Sequence, residues 1–317
     1  MLSTLLSKTL SKTLSGPACK NYAGPSYHQA RMKAGRRAPC NRTVNPYTSQ
    51  RGIDSTPHIS FTKASSQGLR SSRNLSNGLF SKILMARFVL VPGAWLGAWA
   101  WKEVTPLLEK GGHSTYPITL TGMGERVHLA TKDVGMDTAI QDVLNVIKYN
   151  DLDDFVLAGH SFAGKVAAAV ADRVPEKVQK VIYVDAFRPE RVRTPQGAFN
   201  PAGEFGPPPQ GGYAIPLTEK IIDRIGKDVV GSNRKRMMSM ATPWPTRLAA
   251  DPITLSKKYD AVKEAYIFCS LSGDPVDEII AGKWGKLEGP YKVIEAGHWP
   301  MITKPEELAR DLVSLAK

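Results

Sequence analysis

From Arg87 onward, short runs of apolar residues alternate with longer segments of helical periodicity. Short apolar runs predict buried strands, and their alternation with helices is typical of a parallel sheet covered on both faces. We predict strands at Phe88–Val91, Ser114–Pro117, Asp154–Ala158, Val178–Asp185, Ala265–Ser270 and Tyr291–Glu295. Helices are predicted at about Trp99–Lys110, Thr138–Tyr149, Phe162–Arg173, Asp277–Lys286 and Pro305–Ala316. The pattern predicts an α/β fold with a doubly wound, mostly parallel sheet, whose ligands bind beyond the carboxyl ends of the strands.

The alternation stops between about residues 188 and 263. Three successive prolines, 207 to 209, and a Gly-Gly pair precede a helical stretch around Leu217–Val230, and we find no β-type run in this region. A helical insertion at this place in the chain is typical of a lid over the strand ends.

The positive charge of the chain is concentrated at its amino end. The sequence has 42 Lys and Arg against 29 Asp and Glu, and residues 1–84 contain 13 of those bases and one acid, Asp54. Residues 85–317 therefore contain 29 bases and 28 acids, and this near neutrality argues against a nucleic-acid partner. The leader is also rich in Ser and Thr, as organelle transit peptides are. We expect residues 1–84 to be a disordered targeting leader for an import machinery, followed by one domain over 85–317.

The expected location of the protein follows from this leader. Its length and serine content favour the plastid, with the mitochondrion as the alternative, or the cytoplasm if Met85 is the working start. No apolar run reaches membrane-spanning length, so we expect no stable membrane association. Cys269 is the single cysteine of residues 85–317, which excludes a disulfide framework and a cysteine-based metal site there. The sequence leaves a homodimer open.

The segment Gly159-His160-Ser161-Phe162-Ala163 joins an apolar strand to an alanine-rich helix. In this context, G-x-S-x-[GA] predicts a nucleophile elbow, a tight turn that exposes a serine at the carboxyl edge of the sheet. Small residues at positions 159 and 163 would prevent collisions within the turn. We therefore predict Ser161 as a nucleophile.

A serine hydroxyl requires a general base in contact with it. Residues 85–317 contain four histidines. His160 adjoins the serine and should point to the other side of the turn, His113 precedes a strand at the far edge, and His128 lies in a loop with a structural or pocket-lining role. His298 directly follows the last strand, in the chain order Ser, acid, His, and is the predicted base.

The base requires a carboxylate to fix its tautomer. We predict Asp274, which follows the penultimate strand. Asp277 and Glu278 are close rivals, although a helix N-terminus would favour both as simple capping residues. Asp185, at the end of the strand after the nucleophile helix, is the remaining alternative.

An oxyanion requires two converging backbone N–H donors. We predict the N–H of Phe162, after the nucleophile, and that of Ala94, in the glycine-containing loop after the first strand. No G-x-G-x-x-G or Walker lysine is present, and we expect neither a cofactor nor a metal. The expected substrate contacts are Gly93, Trp95, His160, Met237, Trp244 and Trp299.

Four segments together resemble the α/β-hydrolase superfamily. They are Pro92-Gly93-Ala94-Trp95 with Gly97-Ala98-Trp99, Thr121 to Arg126, Gly159-His160-Ser161, and Gly297-His298-Trp299-Pro300-Met301. Within the superfamily, residues 86–317 look closest to small bacterial-type esterases akin to the plant methylesterase and hydroxynitrile lyase group. The resemblance implies cofactor-free ester hydrolysis through an acyl-enzyme, with Ser161, His298 and Asp274 as the triad.

Two departures from the family pattern affect this expectation. Ala163 stands at the second glycine of the usual elbow, and Gly93 and Trp299 stand where hydroxynitrile lyases have a threonine and a lysine. The sequence thus favours a serine carboxylester hydrolase for a small to medium, apolar or weakly polar ester, with methyl esters as one class. The alternatives are a ligand receptor on the same scaffold, with little turnover, and a hydroxynitrile lyase.

Overall fold

The computed structural model describes residues 85–186, 189, 206, 208, 212–283 and 285–317. The leader, residues 1–84, lies outside the described residues, as does most of the segment from 187 to 211. The strands are β1 (Arg87–Val91), β2 (Ser114–Pro117), β3 (Phe155–His160), β4 (Val178–Val184), β5 (Ala214–Ile215), β6 (Trp244–Pro245), β7 (Glu264–Cys269) and β8 (Tyr291–Ile294). The helices are α1 (Thr105–Lys110), α2 (Met136–Tyr149), α3 (Ala163–Arg173), α4 (Glu219–Ile225), α5 (Gly231–Met240), α6 (Arg247–Ala250), α7 (Val276–Ile280), α8 (Pro300–Thr303) and α9 (Pro305–Leu315). Short 3-10 helices span Ala98–Trp101, Gly124–Leu129 and Lys257–Ala261.

Six of these strands form one parallel sheet in the order β2-β1-β3-β4-β7-β8. Strands β3 and β7 are buried at every position, as expected for the interior of a sheet with helices packed against it. The strand order reverses between β1 and β3, so the carboxyl ends of these two neighbours open the crevice in which doubly wound sheets bind their ligands. This confirms the predicted fold class.

The six predicted strands agree with the structure to within two residues at either end. The predicted helix Trp99–Lys110 is instead divided into the 3-10 helix Ala98–Trp101 and α1. Pro106 explains the break, because it lies in the first turn of α1, where its missing N–H needs no partner, whereas a helix continuing from Trp99 would lose a hydrogen bond there. The predicted helix Asp277–Lys286 ends early, since α7 stops at Ile280.

The segment between β4 and β7 contains helices α4, α5 and α6 and a second, two-stranded sheet. The expectation of no β-type run there was wrong, because β5 and β6 pair antiparallel. We call the described part of this segment, residues 212–263, the insertion. Its contacts with the loop after β1 are direct: Trp95 Nε1 donates to the carbonyl of Ile215 at 2.9 Å, and the Thr242 amide donates to the carbonyl of Trp95 at 3.0 Å.

A further contact joins the insertion to the start of the domain. Arg236 of α5 forms an ion pair with Glu103 at 2.9 Å, and its guanidinium lies 5.9 Å from the ring centre of Trp99.

None of the helices in the described part of the chain has the length and apolar character needed to cross a membrane.

Candidate active site

Ser161 occupies a strained turn at the carboxyl end of β3. Its φ of 56° lies in the left-handed region, and its amide donates to the carbonyl of Val184 at 3.1 Å. A Cβ placed on Gly159 would lie 2.5 Å from the carbonyl oxygen of Ala163, so a side chain at position 159 would collide with the start of α3. The glycine therefore permits the sharp reversal from strand to helix that lifts the serine clear of its neighbours.

His298 lies in the loop between β8 and α8 and connects Ser161 to a carboxylate. Its Nε2 is 2.9 Å from Ser161 Oγ, and its Nδ1 is 2.6 Å from Asp185 Oδ2. Because an ionised carboxylate can only accept, Nδ1 must carry the hydrogen of the neutral ring. Nε2 is then the lone-pair nitrogen that faces the serine hydroxyl. This tautomer is the one that can remove a proton from Ser161.

Asp185 is the carboxylate of this arrangement, and the protein surrounds it. Its side chain is 2% exposed, and Oδ1 accepts a hydrogen bond from the Cys269 amide at 3.1 Å. The hydroxyl of Ser272 is 3.3 Å from the same oxygen. Hydrogen bonds to the ionised form offset the loss of solvation that burial imposes on a carboxylate.

The sheet explains why Asp185 reaches this position. Strands β3 and β4 are neighbours, with His160 paired to Val184, so the residue that follows each strand stands beside the other at the sheet edge. Strand β8 lies two places further along, and the loop after it returns His298 to the gap between Ser161 and Asp185.

The prediction that Asp274 contacts His298 was wrong. Asp274 lies in the turn between β7 and α7, and both ring nitrogens of His298 are already bonded to Ser161 and Asp185. Asp277 and Glu278 fall in the first turn of α7, where Asp277 is exposed and Glu278 faces Lys283 at 3.4 Å. Asp185, the last of the alternatives considered from the sequence, is therefore the carboxylate that contacts His298.

The two predicted oxyanion donors belong to segments that adjoin Ser161. Strand β1 pairs with β3, which brings the loop containing Gly93 and Ala94 against the elbow. A Cβ on Gly93 would lie 2.9 Å from the Cβ of Ser161, so the approach of this loop depends on glycine. Phe162 caps the N-terminus of α3, where backbone N–H groups have no partner within the helix.

Three of the non-glycine residues that have a positive φ in the described part of the chain lie at this edge of the sheet. They are Trp95, Ser161 and Asp185, with φ of 66°, 56° and 44°. Such backbone conformations cost about 1–3 kcal/mol each and concentrate at functional sites. The surrounding sheet holds all three in place.

His160 is not exposed to the crevice, contrary to the expectation that it contacts the substrate. Its ring is completely buried; its Nδ1 accepts from the Gly93 amide at 3.2 Å, and its Nε2 is 2.6 Å from the carbonyl oxygen of His298. Burial, followed by the neighbouring His298, lowers the pKa of His160 well below its usual value, so the ring is neutral.

The predicted apolar contacts divide into two groups. Trp95 and Trp244 pack edge to face at 5.6 Å, and Trp244 lies 5.2 Å from the ring of Phe162, so these three rings form a cluster beside the oxyanion loop in which both tryptophans are fully buried. Trp299 instead packs against Gly226 of the insertion, and Met237 is buried within α5. His128, another residue that could have lined a pocket, is exposed.

Two further groups behind the site are buried. Burial and then the charge of Asp185 raise the pKa of the Cys269 thiol well above its usual value, which keeps it protonated and unreactive. Both carboxylate oxygens of Asp228 are buried, with Oδ1 beside Gly297, and neither has a hydrogen-bond partner within the described residues. The described residues contain no cluster of His, Cys, Asp and Glu that could hold a metal ion.

Comparison with known proteins identifies relatives of the whole folded region. The chain is 32% identical over 245 residues to the carbendazim hydrolyzing esterase of Nocardioides sp. (strain SG-4G), which covers 73% of this chain and all of that protein. It is 25% identical over 254 residues to methylesterase 9 of Arabidopsis thaliana, covering 73% and 98% of the two chains.

Solved structures give the same fold. An extracellular alpha/beta-hydrolase from a Paenibacillus species superposes with a TM-score of 0.61 at 23% identity, over 73% of this chain and 98% of that one. Polyneuridine aldehyde esterase superposes with a TM-score of 0.58 at 21% identity, over 74% and 100%. The model of the alpha/beta hydrolase family matches residues 88–311, and the chain therefore belongs to the alpha/beta hydrolase family.

Proposed function

We propose that this protein is a serine carboxylester hydrolase in which Ser161, His298 and Asp185 form the catalytic triad. The observation that carries the proposal is the pair of hydrogen bonds, 2.9 Å and 2.6 Å long, that joins the serine hydroxyl through the imidazole to a buried carboxylate. The family, together with relatives that are named esterases, supports ester hydrolysis as the reaction.

Acylation begins when Ser161 Oγ attacks the carbonyl carbon of the ester and His298 Nε2 takes the hydroxyl proton. The imidazolium that forms is stabilised by the charge of Asp185, which stays ionised. The carbonyl oxygen becomes an oxyanion between the amides of Ala94 and Phe162. The C–O bond to the alcohol then breaks, and the alcohol leaves with the proton from Nε2.

Deacylation repeats these roles with water as the nucleophile. His298 Nε2 removes a proton from the water as its oxygen attacks the acyl carbon, and the same two amides stabilise the second oxyanion. When the bond to Ser161 Oγ breaks, Nε2 returns its proton to the serine. The carboxylic acid is released and the enzyme is restored, without a cofactor or metal.

The proposed substrates are uncharged or weakly polar esters of small to medium size. The rings of Trp95, Trp244 and Phe162 pack together beside the oxyanion loop without a charged group among them, and residues 85–317 are close to neutral. Methyl esters are the first class to test because several relatives are named methylesterases, and carbendazim is the second, after the relative that is named for hydrolysing it.

A lyase activity fits the site less well. The hydroxynitrile lyases that the chain resembles have a threonine at the position of Gly93. Here a Cβ would lie 2.5 Å from His160 Nδ1 and 2.9 Å from the Ser161 Cβ, which leaves no room for that side chain.

The test is turnover of p-nitrophenyl acetate and a panel of methyl esters by the full-length chain, with labelling of the serine by a fluorophosphonate probe. We expect hydrolysis and stoichiometric labelling by the wild type, and loss of both in Ser161→Ala. Asp274→Asn is the matched control, which should retain both. Absence of turnover and labelling in a folded wild-type protein would exclude the proposed function.

A further inference from the structure

His160 is the residue next to the nucleophile, yet it faces away from the crevice and uses both ring nitrogens within the protein. The Gly93 amide can only donate, so Nδ1 must be an acceptor, and the hydrogen must lie on Nε2. Nε2–H then donates to the carbonyl oxygen of His298 at 2.6 Å. One neutral tautomer satisfies both bonds, and complete burial maintains it.

These two hydrogen bonds end on the two loops that must converge on the serine. Gly93 precedes Ala94, the proposed oxyanion donor, and the carbonyl of residue 298 belongs to the proposed base itself. The ring of His160 also packs against the imidazole of His298 at 4.8 Å between centres. One buried side chain therefore links both loops.

We propose, on the basis of the proposed esterase function, that His160 is a positioning residue that sets the distance between the oxyanion loop and the base loop. Its side chain transmits no proton to the substrate. It holds the Ala94 amide on one side of Ser161 and the imidazole of His298 on the other. Loss of its two hydrogen bonds would leave every reacting group present, but the Ala94 amide and the His298 imidazole would no longer be held at the correct distance from Ser161. Misplacement of a catalytic group by about 1 Å can reduce turnover about 100-fold.

A second buried histidine offers a matched control. His113 accepts a hydrogen bond from the Ala86 amide through Nδ1 at 3.1 Å, is 7% exposed, and packs edge-on against Phe88. It resembles His160 in burial and in this bond, but Ala86 stands at the opposite end of β1 from Gly93. A purely structural role would give similar consequences at both positions.

The experiment compares His160→Phe, His160→Gln and His113→Phe in the full-length protein. Phenylalanine retains an aromatic ring without the hydrogen bonds, and glutamine retains one donor and one acceptor. Active sites are counted with a fluorophosphonate probe, and kcat and KM for p-nitrophenyl acetate are expressed per titrated site. Melting temperatures are measured in parallel.

We expect His160→Phe to lower kcat per site by about 100-fold or more, with KM changed less than about threefold. His160→Gln should recover at least about tenfold of that loss, and His113→Phe should keep wild-type kcat per site whatever its melting temperature. The acid limb of the pH–rate profile should be retained in His160→Phe, because the proposed general base, His298, is still present.

Three results would overturn the proposal. They are wild-type kcat per site in His160→Phe, equal losses in His113→Phe and His160→Phe, and disappearance of the acid limb, which would make His160 the base. An inactive wild type would instead count against the esterase function, so the two failures are distinguishable.

Discussion

Replacement of Asp185 by asparagine tests the proposed triad at its least expected member. The oxygen of an asparagine at this position would accept the Cys269 amide hydrogen now held at 3.1 Å, which turns its NH₂ group toward His298 Nδ1. Nδ1 must then accept, and the ring hydrogen moves to Nε2. The Nε2–H would point at Ser161 Oγ as a donor and could not remove its proton.

The expected loss is large because the whole proton-transfer step depends on the tautomer. A wrong tautomer of this kind lowers kcat about 10⁴-fold, which corresponds to about 5.5 kcal/mol of transition-state stabilisation. The side chain is 2% exposed, so water cannot replace the lost carboxylate. The oxyanion amides remain, and residual turnover above the uncatalysed rate is therefore expected.

The assay is p-nitrophenyl acetate hydrolysis by Asp185→Asn and Asp274→Asn, with melting curves to verify that both fold. We expect Asp185→Asn to lose about 10⁴-fold in kcat and Asp274→Asn to stay within about threefold of the wild type. The reverse ranking would refute the assignment and restore the residue that follows β7 as the acid.

Three further outcomes are expected. Gly93→Ala should lower stability by about 1–3 kcal/mol and reduce turnover, because its Cβ would lie 2.5 Å from His160 Nδ1; melting and kinetics measure both. Burial lowers the pKa of His160 in the folded protein below its pKa in the unfolded chain. As the pH falls below about 6.5, the unfolded chain therefore binds a proton at His160 that the folded protein does not, and the free energy of unfolding should decrease. Urea unfolding should show that wild type loses about 1.4 kcal/mol more than His160→Gln between about pH 7.5 and 5.5. Asp228→Asn should raise stability by about 1 kcal/mol, since it removes a buried carboxylate without a partner among the described residues.

Each of these outcomes has a clear contrary result. Wild-type behaviour of Gly93→Ala would mean that the oxyanion loop has room to move away from the elbow. Equal pH dependence of wild type and His160→Gln would mean that the His160 pKa is the same in the folded and unfolded states. Asp223, which pairs with Arg234 at 2.8 Å with its side chain 65% exposed, is the control for Asp228, and Asp223→Asn should change stability by less than about 0.5 kcal/mol.

The strands were predictable because burial on both faces leaves a strong trace in the sequence. The runs at residues 88–91 and 181–184 are apolar throughout, and the structure places them in the sheet interior. Strands β5 and β6 were missed because two residues each are too few to show any alternation. Their pairing depends on contacts distant in the chain.

The acid was mispredicted because Asp185 and Asp274 both follow strands of the same sheet. Only the positions of β4, β7 and the returning base loop decide which of them meets His298, and sequence spacing does not contain that information. One signal was present: Asp185 stands between the buried residues Val184 and Ala186, where a carboxylate without a specific partner would be costly. An acid embedded in an apolar run at a strand end is therefore a stronger candidate for the triad than an acid in a polar turn.

The role of His160 was hidden for a related reason. The sequence indicated that its side chain points to the other side of the turn, but it did not indicate the two partners, which lie 67 and 138 residues away. Contacts to backbone atoms over such separations leave no pattern of residue types.

The bond from the amide of His298 to the carbonyl of Ile225, at 2.8 Å, has a consequence for protein engineering. Because helix α4 supplies this acceptor, transplanting a foreign segment between β4 and β7 to alter selectivity would also remove an anchor of the catalytic imidazole. Chimeras should therefore retain residues 219–229 and exchange only positions beyond 229, so that a new specificity is not confused with a displaced ring.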